Sequence, residues 1–454
     1  PSFMAFCGPL WTGAKERNRP MRTFSGMVDR RSFIQRTAAL LGGLALHRTP
    51  QAAFPGLPER PELADAGDEE DFWRQVRAAF ACSPTLINLN NGGVSPTPRA
   101  AMEALDHYNR MCNEAPSYYM WRILDQDREP LRMNLAALAG VDPEELAICR
   151  NATEALNTLI FGLPLGRGDE VVVSTHDYPN MANAWQQRAL RDGVKLVFAD
   201  PELPSADEDA LVAAYVSRFT ARARLVHIAH VINGNGQIMP VRRIADAAHA
   251  RGIEVLVDAA HSFALLDQRI PELGCDYWGT SLHKFLCAPF GNGLMWIRKE
   301  KIPGIWPLLG NDKPQGADIR KFETLGTRSF PVEMATGYAI DLHNLIGGRR
   351  KQERIHRLKA YWMEGVKDVP GIYFKTLPDP RYSCAIGVFG LEGRKAGTIA
   401  DELFTKWKVH TVAIEREGRS GEAAAYNHVR VTPNVYTTFQ ELDRLVEAVH
   451  AMAR

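Results

Sequence analysis

Residues 254–284 read EVLVDAAHSFALLDQRIPELGCDYWGTSLHK, and this stretch decides the fold. Val255-Leu256-Val257 is a short apolar run that ends in Asp258. Runs of this length without polar alternation are strands covered on both faces, the pattern of parallel sheets sandwiched by helices. Ligands of such sheets bind outside the C-terminal strand ends, where Asp258 stands. A carboxylate there needs a cationic or hydrogen-bonding partner, because an isolated buried charge is costly. Twenty-six residues after Asp258, a second strand-like stretch closes in Thr280-Ser281-Leu282-His283-Lys284.

Outward from this block the same pattern repeats. Apolar runs at Leu146–Cys149, Glu170–Ser174, Lys195–Ala199, Arg224–Ala229, Glu254–Val257 and Gly293–Ile297 alternate with segments of helical periodicity. The expected fold class is α/β, a mostly parallel sheet flanked by helices. Upstream, Phe72, Val76 and Phe80 repeat at helical spacing from Asp71, and Thr97-Pro98 opens a further helix with Thr97 as N-cap. Beyond residue 330 the order changes to long helices, then strands near Ser383–Phe389 and His410–Ile414. A last helix begins with the capping box Thr438-x-x-Glu441 and carries Leu442, Leu445, Val446 and Val449 on one face. The expected division is a large α/β domain over 71–330, with an N-terminal arm, and a smaller C-terminal α+β domain over 331–454.

The composition excludes several classes. Lys+Arg (54) and Asp+Glu (53) nearly cancel over 454 residues, so no basic field marks a nucleic-acid binder. No apolar run reaches the ~18 residues of a stable membrane span. Seven scattered cysteines form no CxxC pair and no His-rich cluster, which argues against a zinc site or a disulfide framework. Gly234-Asn235-Gly236 and Gly291-Asn292-Gly293 do not continue as a dinucleotide fingerprint, which weakens a dehydrogenase reading. At the N-terminus, Arg30-Arg31-Ser32-Phe33-Ile34 precedes a short apolar stretch from Ala38 to Leu46. Residues 27–53 therefore read as a twin-arginine export signal, with Met27 the natural start and 1–26 an upstream extension. The expectation is a periplasmic protein that meets the twin-arginine translocon, its folded body joined by a Pro-rich, then acidic linker over 54–70.

Singly, Asp258 and Lys284 each read as a solvated loop residue. As a pair at two strand ends they form the arrangement a pyridoxal enzyme requires. The amine of Lys284 holds the cofactor aldehyde as a Schiff base, and Asp258 keeps the pyridine nitrogen protonated so that the ring takes up electrons. Asn151-Ala152-Thr153-Glu154 precedes an apolar helical stretch, so Ala152, Thr153 and nearby backbone N–H groups offer an anion site at a helix N-terminus; a plain N-cap is the other reading. A non-catalytic phosphate binder would have no need of the Asp258–Lys284 pair.

The ordered set Asn-Ala-Thr-Glu, Asp-x-x-His and Ser-x-His-Lys resembles the class V aminotransferases of pyridoxal phosphate fold type I, over roughly residues 85–450. That family includes cysteine desulfurases, selenocysteine lyases and isopenicillin N epimerase. The resemblance implies pyridoxal 5'-phosphate as cofactor, with Lys284 on its aldehyde, Asp258 on its pyridine nitrogen and His261 near the ring hydroxyl. It further implies Ser281, His283 and Thr153 on the phosphate and Tyr178 stacked on the ring. Asn233 falls where the family touches the cofactor hydroxyl or the substrate carboxylate, and Arg430 where a guanidinium clamps the α-carboxylate. Arg416 is a second candidate for a neighbouring carboxylate. Gly326-Thr327 matches a pair that reaches the phosphate of a second subunit, which implies a homodimer with shared active sites. The implied substrate is an amino acid or an amino-acyl group of a peptide. A desulfurase would carry a nucleophilic cysteine on a C-terminal loop. Here Cys384 is the last cysteine, in an apolar run that reads as a strand, so an isopenicillin N epimerase-like activity fits better. The export signal also suits a siderophore-tailoring member of this class, such as acts on a glutamyl side chain in periplasmic pyoverdine maturation.

Overall fold

The computed structural model describes residues 66–418 and 425–453, all within the unit Thr49–Arg454. The twin-arginine segment 27–53, the extension 1–26 and most of the linker lie outside the described residues. Helix α1 (Ala66–Ala78) starts ahead of the expected Asp71 and buries Phe72, Trp73 and Val76. A two-residue strand β1 (Ile87–Asn88) follows, then α2 (Arg99–Glu114) and α3 (Asp125–Ala139). Pro98 stands at the N-cap of α2, and no side chain caps that helix. The expected cap Thr97 is buried, with its hydroxyl directed to the Ala288 carbonyl at 3.5 Å.

The large sheet comprises β2 (Leu146–Cys149), β3 (Glu170–Ser174), β4 (Lys195–Ala199), β5 (Ala223–Ala229), β6 (Glu254–Asp258), β7 (Tyr277–Ser281) and β8 (Gly293–Ile297). Their order is β2-β8-β7-β6-β5-β3-β4. The pairs from β7 to β4 are all parallel; β8 runs antiparallel to both of its neighbours. Helices α4 (Ala152–Gly162), α5 (Pro179–Asp192), α6 (Glu208–Val216) and α7 (Val241–His249) connect the strands. Strand alternation feeds two cores, one on each face. On β6, Val255 and Val257 join the cluster that contains Ile244, Trp278 and Phe330, whereas Leu256 joins Leu156, Leu159 and Trp185. Burial on both faces is what makes the strand read as an unbroken apolar run.

Helix α8 (Phe330–Ile346) packs on α2 and α3, and α9 (Gly348–Val366) leads into the second layer. There β9 (Ile372–Phe374), β10 (Gly387–Leu391), β12 (Val412–Arg416) and β13 (Tyr426–Val431) form an antiparallel sheet in the order β12-β13-β10-β9. Helices α10 (Ala396–Trp407) and α11 (Phe439–Met452) complete it, with the Thr438–Glu441 capping box formed and Leu442, Leu445 and Val449 fully buried. The strand expected from Ser383 begins only at Gly387, so Cys384 lies in a bend before it. Strands β9 and β13 were not anticipated. A short strand β11 (Val409–His410) pairs in parallel with β1, which ties the N-terminal arm to this layer. Among the described residues no helix is long and apolar enough to cross a membrane.

Candidate active site

Strands β6 and β7 end side by side, and their last residues are Asp258 and Ser281. Asp258 is buried, and its Oδ1 accepts the Ala260 N–H at 2.9 Å. Burial pushes this carboxyl above its ordinary range, opposed by that N–H and by the charge of Lys284. Lys284 lies in the turn after β7, with Nζ 3.2 Å from Nε2 of His261. The same Nε2 is 2.8 Å from the Gly92 carbonyl oxygen. A carbonyl only accepts, so Nε2 carries the ring proton, and the amine beside it is best accommodated uncharged. Burial lowers Lys284 to about 8; Asp258 raises it and Arg430 lowers it further. Burial, with the charges of Lys284 and Arg430, holds His261 well below its usual range, in its neutral form.

Helix α4 points its N-terminus at the same place. Asn151 caps it by accepting the Glu154 N–H at 2.9 Å, and the Ala152 N–H donates to Ser281 Oγ at 2.9 Å. Among the described residues no group takes the Thr153 N–H or hydroxyl. His283 Nδ1 is likewise buried without a partner, and burial pushes that ring down to about 4. Strand β8 can run this close to the cap only because residue 293 is glycine: a Cβ there would sit 2.5 Å from Asn151 Cα.

From the other layer, Arg430 of β13 reaches across. Its Nη1 donates to the Asn233 carbonyl at 3.0 Å and its Nη2 to Asn90 Oδ1 at 3.1 Å, while Nε is buried without a partner. Burial holds this guanidinium down at about 10. Tyr178, 39% exposed, opens α5 at the mouth. One cavity of about 250 Å³ is lined by Lys284, Asp258, His261, Ser281, His283, Ala152, Thr153, Tyr178, Asn233 and Arg430. Two predicted residues are elsewhere. Thr327 lines a separate cavity of about 290 Å³ with Arg150, Phe290 and Arg328 of its own chain. Arg416, expected near a substrate carboxylate, does not line the cavity; its Nη2 donates to the Thr175 carbonyl at 3.0 Å and its guanidinium lies over the Tyr426 ring.

Sequence reasoning missed Gly92, whose carbonyl sets the tautomer of His261, Asn90, which holds Arg430, and Gly93, which lines the cavity. The signal was present: Asn90-Asn91-Gly92-Gly93 is a run of turn-forming residues one residue past β1. No described cysteine lines the cavity. Cys384 is buried, its Sγ directed to the Gln352 carbonyl, and burial pushes its thiol up to about 12.

The donor set fits pyridoxal phosphate. Unpartnered donors at the α4 N-terminus and on His283 suit a phosphate. A buried carboxyl with one N–H bond suits a pyridinium, and a lysine of lowered pKa suits an aldehyde.

The chain is 29% identical over 398 residues to isopenicillin N epimerase of Streptomyces clavuligerus, covering 84% of this chain and 98% of that protein. It is 28% identical over 408 residues to a probable cysteine desulfurase of Xylella fastidiosa, covering 83% and 94%. Its fold is similar to that of a solved mutant of the C–S lyase C-DES with glycine covalently linked to the pyridoxal phosphate cofactor, at a TM-score of 0.72 and 20% identity, over 82% of this chain and 98% of that one. The aminotransferase class-V family matches residues 87–445, and the chain belongs to that family.

Proposed function

We propose that this class V, pyridoxal-phosphate-dependent enzyme acts at the α-carbon of an amino acid or amino-acyl substrate, as the isopenicillin N epimerases it is similar to would suggest. The observation that carries the reading is the 3.2 Å approach of Lys284 Nζ to His261 Nε2 in the cavity that Arg430 also lines. When bound, pyridoxal phosphate supplies an electron sink for the pair released at that carbon. Ser281, His283, Thr153 and the α4 N-terminus would hold its phosphate, Asp258 its pyridine nitrogen and Tyr178 its ring face. Arg430 presents two donors in a fixed plane, suited to an α-carboxylate. Lys284, with its pKa lowered to about 8, takes up or returns the α-proton near neutral pH. His261, kept neutral and with its Nε2 proton committed to Gly92, stands beside that amine without competing for the proton.

A persulfide route is disfavoured because no cysteine follows Cys384 in the chain and that thiol is buried. We further propose export by the twin-arginine translocon, and a homodimer in which Thr327 serves the partner's site. The motif Arg30-Arg31-Ser32-Phe33-Ile34 supports the first and favours periplasmic siderophore tailoring as the second reading of the reaction.

The deciding experiment incubates loaded enzyme with amino acids and peptide precursors in deuterated water, followed by mass spectrometry. Deuterium at Cα with the skeleton retained supports epimerase chemistry. A keto acid points to transamination, carbon dioxide release to siderophore tailoring, and alanine with sulfide from cysteine overturns the rejection of desulfuration.

A further inference from the structure

Alternate residues of β13 reach one side of the large layer. Arg430 Nη1 holds the Asn233 carbonyl at 3.0 Å, and His428 Nε2 lies 2.7 Å from the Gly234 carbonyl. Tyr426 lies flush on Gly234: a Cβ at that glycine would meet the phenol ring at 2.7 Å. The Tyr426 hydroxyl is 2.5 Å from His176 Nδ1, and His176 Nε2 is 3.0 Å from the Pro201 carbonyl. Because the carbonyl only accepts, Nε2 carries the proton, and Nδ1 accepts from the Tyr426 O–H. Burial keeps this imidazole neutral, so the assignment holds through the physiological range. Arg416 also packs over the phenol, with its guanidinium carbon 4.6 Å from the ring centroid and Nη2 on the Thr175 carbonyl.

His176 is two residues from Tyr178, in a turn pinned from below by the Ser174 N–H on Asp177 Oδ2 at 2.8 Å. One strand of the C-terminal sheet therefore grips both loops that border the cavity, the Asn233–Gly234 loop and the Thr175–Tyr178 loop. We propose that Tyr426 is a positioning residue: its hydrogen bond to His176 sets the turn that presents Tyr178 to the cofactor ring, so that seating the ring and setting the Arg430 clamp are one event. This rests on the pyridoxal phosphate reading above.

The test compares Tyr426→Phe with the unaltered protein in the fully loaded state, by visible circular dichroism of the bound pyridoxal phosphate and by its dissociation constant. Phenylalanine keeps the packing on Gly234 and beneath Arg416, so only the hydrogen bond is removed. The expected result is an altered visible dichroism and about five- to tenfold weaker cofactor binding, the scale of one lost buried hydrogen bond. In a Tyr178→Ala background the same change should add nothing, because its effect runs through Tyr178. If Tyr426→Phe does not fold, His176→Asn against His176→Ala answers the same question, since only asparagine retains an acceptor for the Tyr426 hydroxyl and should lie closer to the unaltered protein. Unchanged dichroism and affinity, a lowered melting temperature alone, or full additivity with Tyr178→Ala would overturn the proposal and leave the cofactor reading intact. Failure of the unaltered protein to take up pyridoxal phosphate would overturn both.

Discussion

Nζ of Lys284 lies 3.2 Å from Nε2 of His261, a nitrogen whose proton is already given to the Gly92 carbonyl. An N–H facing an amine favours the neutral amine, and burial favours it too. Lys284 is therefore set up to attack an aldehyde. Borohydride treatment of the loaded protein should leave the mass of the reduced cofactor on the peptide that contains Lys284. A Lys284→Ala protein that is still labelled, on another lysine, would count against the assignment.

The pH dependence of cofactor uptake follows from the same contacts. The reactive form of Lys284 is the deprotonated one, so the uptake rate of cofactor-free protein should rise with pH through a midpoint near 8 rather than 10.5. Asp258 raises that pKa, so Asp258→Asn should move the midpoint down; Arg430 lowers it, so Arg430→Met should move it up. Stopped-flow absorbance across pH 6–10 at about one-unit steps reads all three.

Stability should be lost in mild acid. His176, His227, His230, His283 and His428 are all held near 4 by burial, against 6.5 in the unfolded chain. Their folded values are depressed, so the unfolded state binds more protons between these limits. Their contribution is fully present above 6.5 and falls away as the pH drops toward 4. Asp177, raised to about 7 by burial, acts in the opposite sense, as do other carboxyls that burial raises, Asp258 among them. Urea midpoints should decline steadily from pH 7 to 4; a flat profile would mean that these rings are not buried neutral.

Glu323 is buried between Arg132 and Arg128, accepting from each at 2.6 Å and from the Ile148 N–H. Arg132 is fully buried. Glu323→Ala leaves Arg132 with the half-exposed Glu129, and Arg128 with Glu333, as closest acidic partner, so it should destabilise by about 3 kcal/mol, the lower end of the cost of breaking a buried pair from one side. Chemical denaturation measures this directly, and a loss below about 1 kcal/mol would show that water reaches the site.

What the sequence determined by itself was local in origin. Apolar runs such as Val255–Val257 are strands because both faces are covered, and that periodicity survives in one dimension. The Thr438–Glu441 box acts within one turn, so it too was legible. Asp258 and Lys284 stood out because each closes such a run. Tertiary structure alone decided the rest. No strand was expected over Tyr426–Val431, yet it forms β13, because Tyr426, His428 and Arg430 find partners on His176, Gly234 and Asn233 that only folding brings near. Thr97 looked like a cap and instead faces Ala288 across the core. The tautomer of His261 depends on Gly92, 169 residues away in the chain. A hydrogen-bond partner at that separation leaves no periodic trace, because its placement depends on how layers dock and not on the spacing of residues along one element.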